Sequence, residues 1–585
     1  MGRETFFPLP QGERVRVRGR DSHRFVGSLR PRRSYDRFRA ANRANYTRSF
    51  PLALLYAIIF VSGSAILALE LLASRIMTPY FGVSLYIWTG ILSITLVSLA
   101  LGYWIGGRCA AGKSVAVERL TQLYTLMPAV AALAIVAACL AYPFLFSPLA
   151  GWSLVLGAFA ACLMLLFLPL LATSAMNPLL VAIALRTSNR QVGDAGAGKV
   201  FFVSTIGSVC GVLITAFGMI PYLSNFAATL TVALALALLS LAAAMAPSIR
   251  LGARSAVGAT AVTAALASIL LLWQADTYTG RMASVSYGGN TWRVEASYGS
   301  LFGTVKILRS SADADNGRFS RIYFQDGLVQ NTVDSNGKSM SFYTYALEAL
   351  AYAYRPDLRS ALVLGLGAGV VPMQLARRGA TVDVVEIDPA SPRVAREFFG
   401  FDPAQARVHH ADARTFLRGC PQRFDVVVVD LFHGDGTPDY LVTREFFRDL
   451  RNCLSGRGVA VFNTFADLER RTIYAHFLAT MRAELPHIAL YRPEWPGATH
   501  VNSFVVAAAD PLPAPAKVTL DYVPARHSEA LWSMLAAPRP LDANLLAGGR
   551  IVTDARSAAA HDMALGQLVY RRSVVEALPP ALLLN

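Results

Sequence analysis

Hydrophobic residues in the first half of the chain form long, nearly unbroken runs. The runs lie at roughly 52–73, 84–106, 121–146, 151–185, 201–222, 224–246 and 256–274. Most of them reach the roughly twenty residues that an α-helix needs to cross a bilayer. The fourth run is long and contains Pro169 and Pro178, so we expect it to be kinked or broken. The pattern predicts a multi-pass α-helical membrane domain of about seven helices over residues 51–275.

The pattern changes after residue 281, where short runs rich in β-branched and aromatic residues are separated by polar breaks. Runs of this kind lie at 292–297, 303–308 and 321–324. They predict a small antiparallel β-domain over residues 281–345. A helix is predicted to follow, from about residue 339 to residue 354.

Residues 360–509 alternate between strand-like and helix-like segments. The predicted strands are 361–365, 382–387, 407–410, 424–430, 458–463, 487–491 and 502–508. This alternation predicts an α/β Rossmann-like domain over residues 346–510, with a mostly parallel sheet covered by helices on both faces. Ligands of such sheets bind beyond the carboxyl ends of the strands. Residues 511–585 carry no motif, and we expect them to be a packing or capping extension.

The amino terminus holds much of the formal net charge of +16. Residues 1–50 contain thirteen arginines, four acidic residues and no lysine. A basic segment directly before a first apolar run is typical of a cytoplasmic N-terminus, so this segment is predicted to be a disordered cytoplasmic tail. It has few aromatic residues and no recognisable nucleic-acid-binding fold, so nucleic acid is not an expected partner.

Basic residues also mark the loops after the even-numbered runs, such as Arg108 after the second and Arg250 after the sixth. The positive-inside rule places these loops in the cytoplasm with the N-terminus. Seven full crossings would then place the C-terminal domain outside, whereas the supply of a nucleotide-type ligand inside the cell favours a cytoplasmic domain. The seventh run failing to cross, the fourth crossing twice, or an external domain would each resolve the conflict. The sequence leaves all three open.

Isolated polar and small residues interrupt the apolar runs. Glu70 lies late in the first run, where an ionisable residue indicates either a functional pathway or an acid paired with a nearby base. Glycines in the second and fifth runs predict close helix packing. These glycines are Gly102, Gly106, Gly107, Gly207 and Gly211. The six cysteines of the chain form no CxxC pair, so the sequence predicts neither a disulfide framework nor a metal site.

Candidate chemistry lies at the carboxyl ends of the predicted parallel strands. A glycine run follows the first strand, and acidic residues stand at or near the ends of later strands. These residues are Gly365, Gly367, Gly369, Glu386, Asp412 and Asp430. The glycines allow the backbone to approach a ligand closely, and the acid near the end of the second strand can accept hydrogen bonds from ribose hydroxyls. The arrangement is typical of a nucleotide-binding site.

Several motifs in this half occur in an order that resembles the spermidine synthase (polyamine aminopropyltransferase) family. They are 326–330 (Asp-Gly-Leu-Val-Gln), the glycine run, 385–388 (Val-Glu-Ile-Asp), 411–412 (Ala-Asp) and 424–430 (Phe-Asp-Val-Val-Val-Val-Asp). The whole architecture resembles the bacterial spermidine synthases that are fused to an MFS-like membrane domain. Residues 62–70, Arg75 and 79–82 (Pro-Tyr-Phe-Gly) resemble that group too. The resemblance covers most of residues 50–510.

The resemblance implies a small β-domain joined to a Rossmann-like domain of the class I methyltransferase type. It implies transfer of an aminopropyl group from decarboxylated S-adenosylmethionine to a small-molecule amine such as putrescine, without a metal. Glu386 would hold the ribose hydroxyls and Asp412 the adenine amino group. Asp430 would be the catalytic acid–base residue beside the attacking amine; the alternative is a polar cap at a strand end. Family members are often dimers or tetramers, which implies a homo-oligomer.

The resemblance also implies an acceptor site, and here the sequence departs from the family pattern. Asp326, Gln330, Tyr343 and Asp435 are the expected substrate-binding residues. The family usually has an aspartate where this chain has Ala368, a histidine at Thr344, a glutamine at Gly303 and a proline at Thr437. A second acid of the catalytic loop is His433 here. His433 is therefore either a replacement base, since a free histidine titrates near neutrality, or a loop residue with no role.

Three hypotheses follow for the function. The first is a membrane-bound aminopropyltransferase-like enzyme that uses decarboxylated S-adenosylmethionine. The second is a methyltransferase that uses S-adenosylmethionine itself, which the loss of an acid at Ala368 favours. The third is a nucleoside-binding domain without catalysis, attached to a transporter-like or lipid-facing membrane module.

Overall fold

The structure is a computed structural model, and it describes most of the chain after residue 51. The described residues are 52–82, 85–111, 115–187, 194–246, 251–275, 284–287, 290–311, 317–431, 438–467, 471–494, 500–539, 541, 543–555, 571–572, 575–576 and 578–584. From residue 50 onward the chain forms one compact unit.

Seven long helices correspond to the seven apolar runs. They are α1 (Leu52–Phe81), α2 (Leu85–Ala110), α3 (Val117–Trp152), α4 (Leu154–Thr187), α5 (Asp194–Ile214, extended by a π-helical turn, Thr215–Met219), α6 (Asn225–Ala244) and α7 (Leu251–Trp273). Each is long and apolar enough to cross a membrane, as judged by length and composition. Helix α4 continues through Pro169 and Pro178, so of the two expectations for the fourth run, a kink or a break, the break is wrong. Prolines are tolerated in membrane helices because neighbouring groups satisfy the freed backbone.

Small residues bring pairs of these helices into close contact. Gly207 and Gly211 of α5 lie against the backbone of α1, and Gly102 and Gly106 of α2 lie against α4. The predicted close packing is confirmed at these four glycines. It is wrong at Gly107, where no described atom lies within 4 Å of the place that a β-carbon would take.

A five-stranded antiparallel sheet follows the seven apolar helices. Its strands pair in chain order: β1 (Val285–Tyr287), β2 (Asn290–Ser300), β3 (Gly303–Ser310), β4 (Ser320–Gln325) and β5 (Leu328–Asp334). The predicted antiparallel β-domain is confirmed, although sequence reasoning missed β1 and β5. Strand β5 is obscured by Gln330 and Asn331, which interrupt its apolar residues. Strands β4 and β5 are joined by Asp326 and Gly327, whose φ angles of 47° and 88° suit a two-residue Asp-Gly hairpin turn.

A helix, α8 (Phe342–Tyr354), leads into a seven-stranded sheet. Its strands are β6 (Ser360–Leu364), β7 (Thr381–Glu386), β8 (Ala406–His410), β9 (Phe424–Val429), β10 (Leu454–Asp467), β11 (His487–Tyr491) and β12 (His500–Ala508). They lie in the order β11-β12-β10-β9-β6-β7-β8. Strands β6 to β10 are parallel, and β12 runs antiparallel to both its neighbours.

Five helices belong to this sheet: α9 (Val370–Arg377), α10 (Ala390–Phe399), α11 (Ala413–Arg418), α12 (Arg444–Cys453) and α13 (Arg471–Arg482). The strand order reverses its direction between β6 and β9. Such a switch point leaves a crevice outside the carboxyl ends of the strands. The predicted Rossmann-like domain is therefore confirmed, with all seven predicted strands present.

The C-terminal residues pack against both parts of the molecule. Helix α14 (Ala525–Ala536) buries Leu531 and Met534 in the same core as α8, and α15 (Ala543–Leu546) follows it. Near the end of the chain, α16 (Pro580–Leu583) packs its leucines into the core formed by the apolar helices and the β-domain. The last residues thus return to the junction between these two regions.

Two of the cysteines form a disulfide that sequence reasoning did not predict. Cys420 follows α11 and Cys453 ends α12, with 5.8 Å between their Cα atoms. They are separated by 33 residues in sequence, so no short cysteine motif predicts that they pair. Only the packing of the two helices brings them together, and the prediction of no disulfide is wrong at this position.

Candidate active site

A cavity of about 380 Å³ opens between the carboxyl edge of the seven-stranded sheet and the β-domain. The sheet edge contributes five of the predicted site residues: Gly365, Gly367, Glu386, Asp412 and Asp430. The β-domain contributes the opposite wall: Phe302, Tyr323, Gln325 and Gln330. Tyr343, from the helix between the two sheets, completes it. Residues that are more than one hundred positions apart along the chain therefore meet at one site.

The glycine run after β6 brings the backbone to the cavity. Gly365 has a φ of 95°, and a β-carbon there would collide with the carbonyl oxygen of Asp430. Only glycine fits this turn without moving β6 away from β9. Gly369 begins α9 and packs against Phe401, so this third predicted glycine supports the turn.

Glu386 is buried at the end of β7 and holds two backbone amides. Its Oε2 atom accepts a hydrogen bond from the Leu366 amide at 2.9 Å, and its Oε1 atom accepts one from the Asp388 amide at 2.7 Å. Burial raises the pKa of Glu386, and these amides act in the opposite direction. The carboxylate thus ties the glycine run to the end of β7 while it lines the cavity.

Asp412 lies at the start of α11, after β8. Its Oδ1 atom accepts a hydrogen bond from the Thr415 amide at 2.9 Å, which caps the helix. Its Oδ2 atom accepts one from the Tyr440 hydroxyl at 3.3 Å. Both Asp412 and Tyr440 line the cavity, so the capping interaction places a carboxylate and a phenol at the same wall.

Asp430 directly follows β9. Among the carboxyl groups that line the cavity, it has the largest shift in pKa. Burial raises its pKa to about 6, although a hydrogen bond from Asn463 acts in the opposite direction. The Asn463 Nδ2 atom donates to Asp430 Oδ1 at 2.8 Å. The Asn502 Nδ2 atom in turn donates to Asn463 Oδ1 at 2.8 Å. These two amides, from β10 next to β9 and from β12 next to β10, orient the carboxylate.

The other predicted residues divide into three groups. Gln330 and Tyr343 line the cavity, and the Tyr343 hydroxyl accepts a hydrogen bond from Asn331 at 3.0 Å. Asp326 is buried in the β4–β5 turn, where its carboxylate accepts a hydrogen bond from the Thr304 amide at 2.9 Å, and it is not among the lining residues. This hydrogen bond ties the β4–β5 turn to β3. His433 and Asp435 lie outside the described residues.

Ala368, where the related family carries an acid, packs in an apolar cluster with Val305, Tyr323 and Val394. No charge is therefore presented to the cavity from this position. Within the described part of the chain, no group of three or more His, Cys, Asp or Glu side chains could hold a metal ion.

Sequence reasoning missed several residues of the site. Asn463 and Asn502 lie within β10 and β12, and the signal that could have found them is a polar residue on an otherwise buried strand. Asp388 stands in a motif that carries the resemblance, and it lines the cavity. Phe302 carries no sequence signal, because an aromatic residue in a hairpin turn has many ordinary explanations.

Comparison with known proteins agrees with this geometry. Residues 340–500 match the sequence model of a family described as the spermine/spermidine synthase domain. The chain carries a spermine/spermidine synthase domain. The matched segment contains the glycine run and the acids at 386, 412 and 430. The β-domain and the seven apolar helices lie before it.

Relatives of known name match the same region. A polyamine aminopropyltransferase of Vibrio vulnificus is 34% identical over 156 residues, which are 26% of this chain and 51% of that protein. A polyamine aminopropyltransferase of Moorella thermoacetica is 27% identical over 234 residues, which are 37% of this chain and 81% of that protein. The chain spans about half the length of several of the curated relatives that it matches.

Among solved structures, a probable spermidine synthase from Corynebacterium glutamicum is similar to this chain. It is 19% identical with a TM-score of 0.36, and the match covers 45% of this chain and 97% of that one.

Proposed function

We propose that the protein is a membrane-bound aminopropyltransferase of the spermidine synthase type. It would transfer an aminopropyl group from decarboxylated S-adenosylmethionine to an amine acceptor. The observation that carries this proposal is the buried carboxylate of Asp430 at the carboxyl edge of the sheet, in a cavity closed by the β-domain. The matched domain and the named relatives support the same reaction class.

This transfer requires one base. It requires no metal, because the sulfonium of the donor already activates the carbon that is attacked. The lone pair of the acceptor nitrogen attacks the propyl carbon next to the sulfonium, and a carbon–nitrogen bond forms. The carbon–sulfur bond breaks, and its electron pair stays on sulfur to give a neutral thioether. The nitrogen loses a proton, which Asp430 can take. Because a pKa of about 6 lies nearer to the operating pH than that of an ordinary aspartate, Asp430 suits this transfer.

In this proposal the donor binds at the sheet-edge wall of the cavity, and the acceptor amine binds beside the β-domain wall. Gly365, Gly367, Glu386 and Asp412 offer backbone and carboxylate acceptors for the adenosine part of the donor. The acceptor amine would lie between Asp430 and the β-domain wall, where Gln330 and Tyr343 can orient it. Free amines are mostly protonated at pH 7, and the acidic cavity attracts them as cations.

The substitution Asp430→Asn tests the proposal directly. We expect kcat for aminopropyl transfer to putrescine to fall by about 10²–10⁴-fold, as for loss of a general base, while calorimetric binding of the donor survives. Asp425→Asn is the matched control, because Asp425 lies on the same strand and binds the backbone of Arg359 and Ser360 away from the cavity. Full activity of the Asp430→Asn protein would reject the proposal.

A second candidate function is methyl transfer from S-adenosylmethionine, which the apolar packing of Ala368 favours. Calorimetric titration of the full-length protein in detergent with each donor separates the two reactions. Tighter binding of the decarboxylated donor supports aminopropyl transfer, and tighter binding of the carboxylated donor supports methyl transfer. Binding of either donor without turnover would favour a nucleoside-binding domain without catalysis.

We further propose that the protein lies in the membrane through α1 to α7 and assembles as a homo-oligomer. Helix length and composition support the first point, and the resemblance to the spermidine synthases supports the second. Flotation of the full chain with lipid vesicles tests membrane integration. Light scattering of the purified protein in detergent measures the number of copies.

A further inference from the structure

An arginine near the C-terminal end of α1 contacts the β-domain. The Arg75 Nη2 atom donates to the carbonyl oxygen of Ser300 at 2.6 Å and to that of Gly303 at 2.9 Å. Ser300 and Gly303 face each other at the end of the β2–β3 hairpin. One guanidinium group therefore holds both sides of the hairpin turn.

The turn that Arg75 holds is also a wall of the cavity. Phe302 lies within the turn and lines the cavity. The Phe302 amide donates to the Ser300 hydroxyl at 3.0 Å, which fixes the turn internally. Asp388, another lining residue, interacts with Ser300 and lies within the electrostatic reach of Arg75. Arg75 is thus linked to the cavity in two ways. It holds the turn that contains Phe302, and it acts electrostatically on Asp388.

Other contacts secure the same junction. Buried Arg571, near the end of the chain, donates from Nη1 to the Asp326 carbonyl at 2.7 Å and to the Pro79 carbonyl of α1 at 3.2 Å. Gly327 of the β4–β5 turn packs closely against Pro79. That turn follows Gln325, which also lines the cavity. The end of α1 therefore supports two hairpins, and each contributes to the cavity wall.

We propose that Arg75 is a positioning residue of the active site, through which the membrane domain sets the shape of the β-domain wall and thereby acceptor recognition. Its role in acceptor recognition rests on the proposed function. The hydrogen bonds from Arg75 to Ser300 and Gly303 end on the β-domain wall, whereas the donor would lie on the sheet-edge wall. Loss of Arg75 should therefore affect the acceptor far more than the donor.

The test compares Arg75→Gln with Arg186→Gln in the full-length protein in lipid nanodiscs. Arg186 is the matched control, because it also donates to two backbone carbonyls, those of Ala110 and Val115, at the end of α2 and just before α3. We expect Arg75→Gln to raise the KM for putrescine about tenfold, as expected for loss of hydrogen bonds from a charged group. The dissociation constant of the donor should change less than about twofold.

Arg75→Lys provides a graded check, because lysine keeps the charge but replaces the planar guanidinium with a single ammonium on a flexible stem. We expect its KM to lie between those of wild type and Arg75→Gln. An unchanged KM in the Gln variant, or equal effects of the Arg75→Gln and Arg186→Gln changes, would reject the role of Arg75.

A second measurement does not depend on turnover. Hydrogen–deuterium exchange of the peptide that covers residues 298–305 should be faster in the Arg75→Gln protein than in wild type and in Arg186→Gln. Unchanged exchange there would overturn the proposal even in an active enzyme. Faster exchange in a protein that turns over neither donor would keep the positioning role and reject the aminopropyltransferase function instead.

Discussion

Asp430 is the carboxyl group on which the proposed proton transfer depends. Its burial in the cavity disfavours the ionised form, and the Asn463 amide is the compensating donor. A general base works best when its pKa lies near the operating pH. The same burial that tunes this group must also reduce the stability of the folded protein when the group is ionised.

The pH profile of kcat should report this residue. Below a pH of about 6 Asp430 is protonated and cannot take a proton, so kcat should fall about tenfold for each further pH unit. Asn463→Ala removes the hydrogen bond that lowers the pKa of Asp430, and it should move this acidic limb to higher pH. Thr464→Val is the control, because its hydroxyl binds Ser503. If the acidic limb of the kcat profile does not move in the Asn463→Ala protein, the limb reports a group other than Asp430.

Stability should change in the opposite direction to activity. The folded-state pKa of Asp430 lies above its ordinary value, so wild type loses stability as the pH rises from about 4 to about 6. The shift corresponds to about 3 kcal/mol of unfavourable free energy at neutral pH. Asp430→Asn should therefore raise the unfolding midpoint at pH 8 and leave it nearly unchanged at pH 4. A destabilised variant at pH 8 would indicate a structural cap.

At the scale of elements, the site depends on how closely two parallel strands approach. The turn after β6 passes against the carbonyl of Asp430 at the end of β9, and Glu386 at the end of β7 holds the amide of Leu366 in the same turn. Three neighbouring strand ends thus fix one loop. The loop is correctly shaped for a ligand only while all three ends stay in register.

Gly365→Ala tests this dependence. Its β-carbon would strike the Asp430 carbonyl, so we expect loss of donor binding by calorimetry and a lower unfolding midpoint. Gly379→Ala is the matched control, since Gly379 also has a positive φ of 93° but no described atom near its β-carbon position. The control should show only backbone strain of about 1–2 kcal/mol with normal donor binding. Equal binding by both variants would contradict the strand-end argument.

At the scale of the whole molecule, the number of membrane crossings decides where catalysis takes place. Helix α4 is continuous and α7 is long enough to cross. If all seven helices cross a membrane, the start of α1 and the end of α7 would lie on opposite sides. Donor supply argues for a catalytic domain in the cytoplasm.

Protease accessibility of terminal tags in sealed right-side-out vesicles decides between these two arrangements. With seven crossings and a cytoplasmic tail, we expect only the C-terminal tag to be digested from outside. The same vesicles permeabilised with detergent provide the control, in which both tags are digested. Protection of both tags in sealed vesicles would place the catalytic domain in the cytoplasm and show that one of the seven helices does not cross.

The sequence by itself determined the elements and the nucleoside half of the site. Long apolar runs, buried strands followed by helices, and acids at strand ends are local patterns, and parallel strands bring their carboxyl ends to one edge. Gly365, Glu386, Asp412 and Asp430 could be found in this way because each follows or ends its own strand. His433 and Asp435 remain predictions.

Only the tertiary structure decided which distant groups meet. Asn463 and Asn502 support Asp430 because β9, β10 and β12 pair in one register, and Cys420 meets Cys453 because two helices pack side by side. Asp326 lies in the β4–β5 turn, and Arg75 of α1 holds the β2–β3 turn whose Phe302 lines the cavity. Such contacts join residues tens to hundreds of positions apart. Their geometry arises from packing, which no local pattern along the chain encodes.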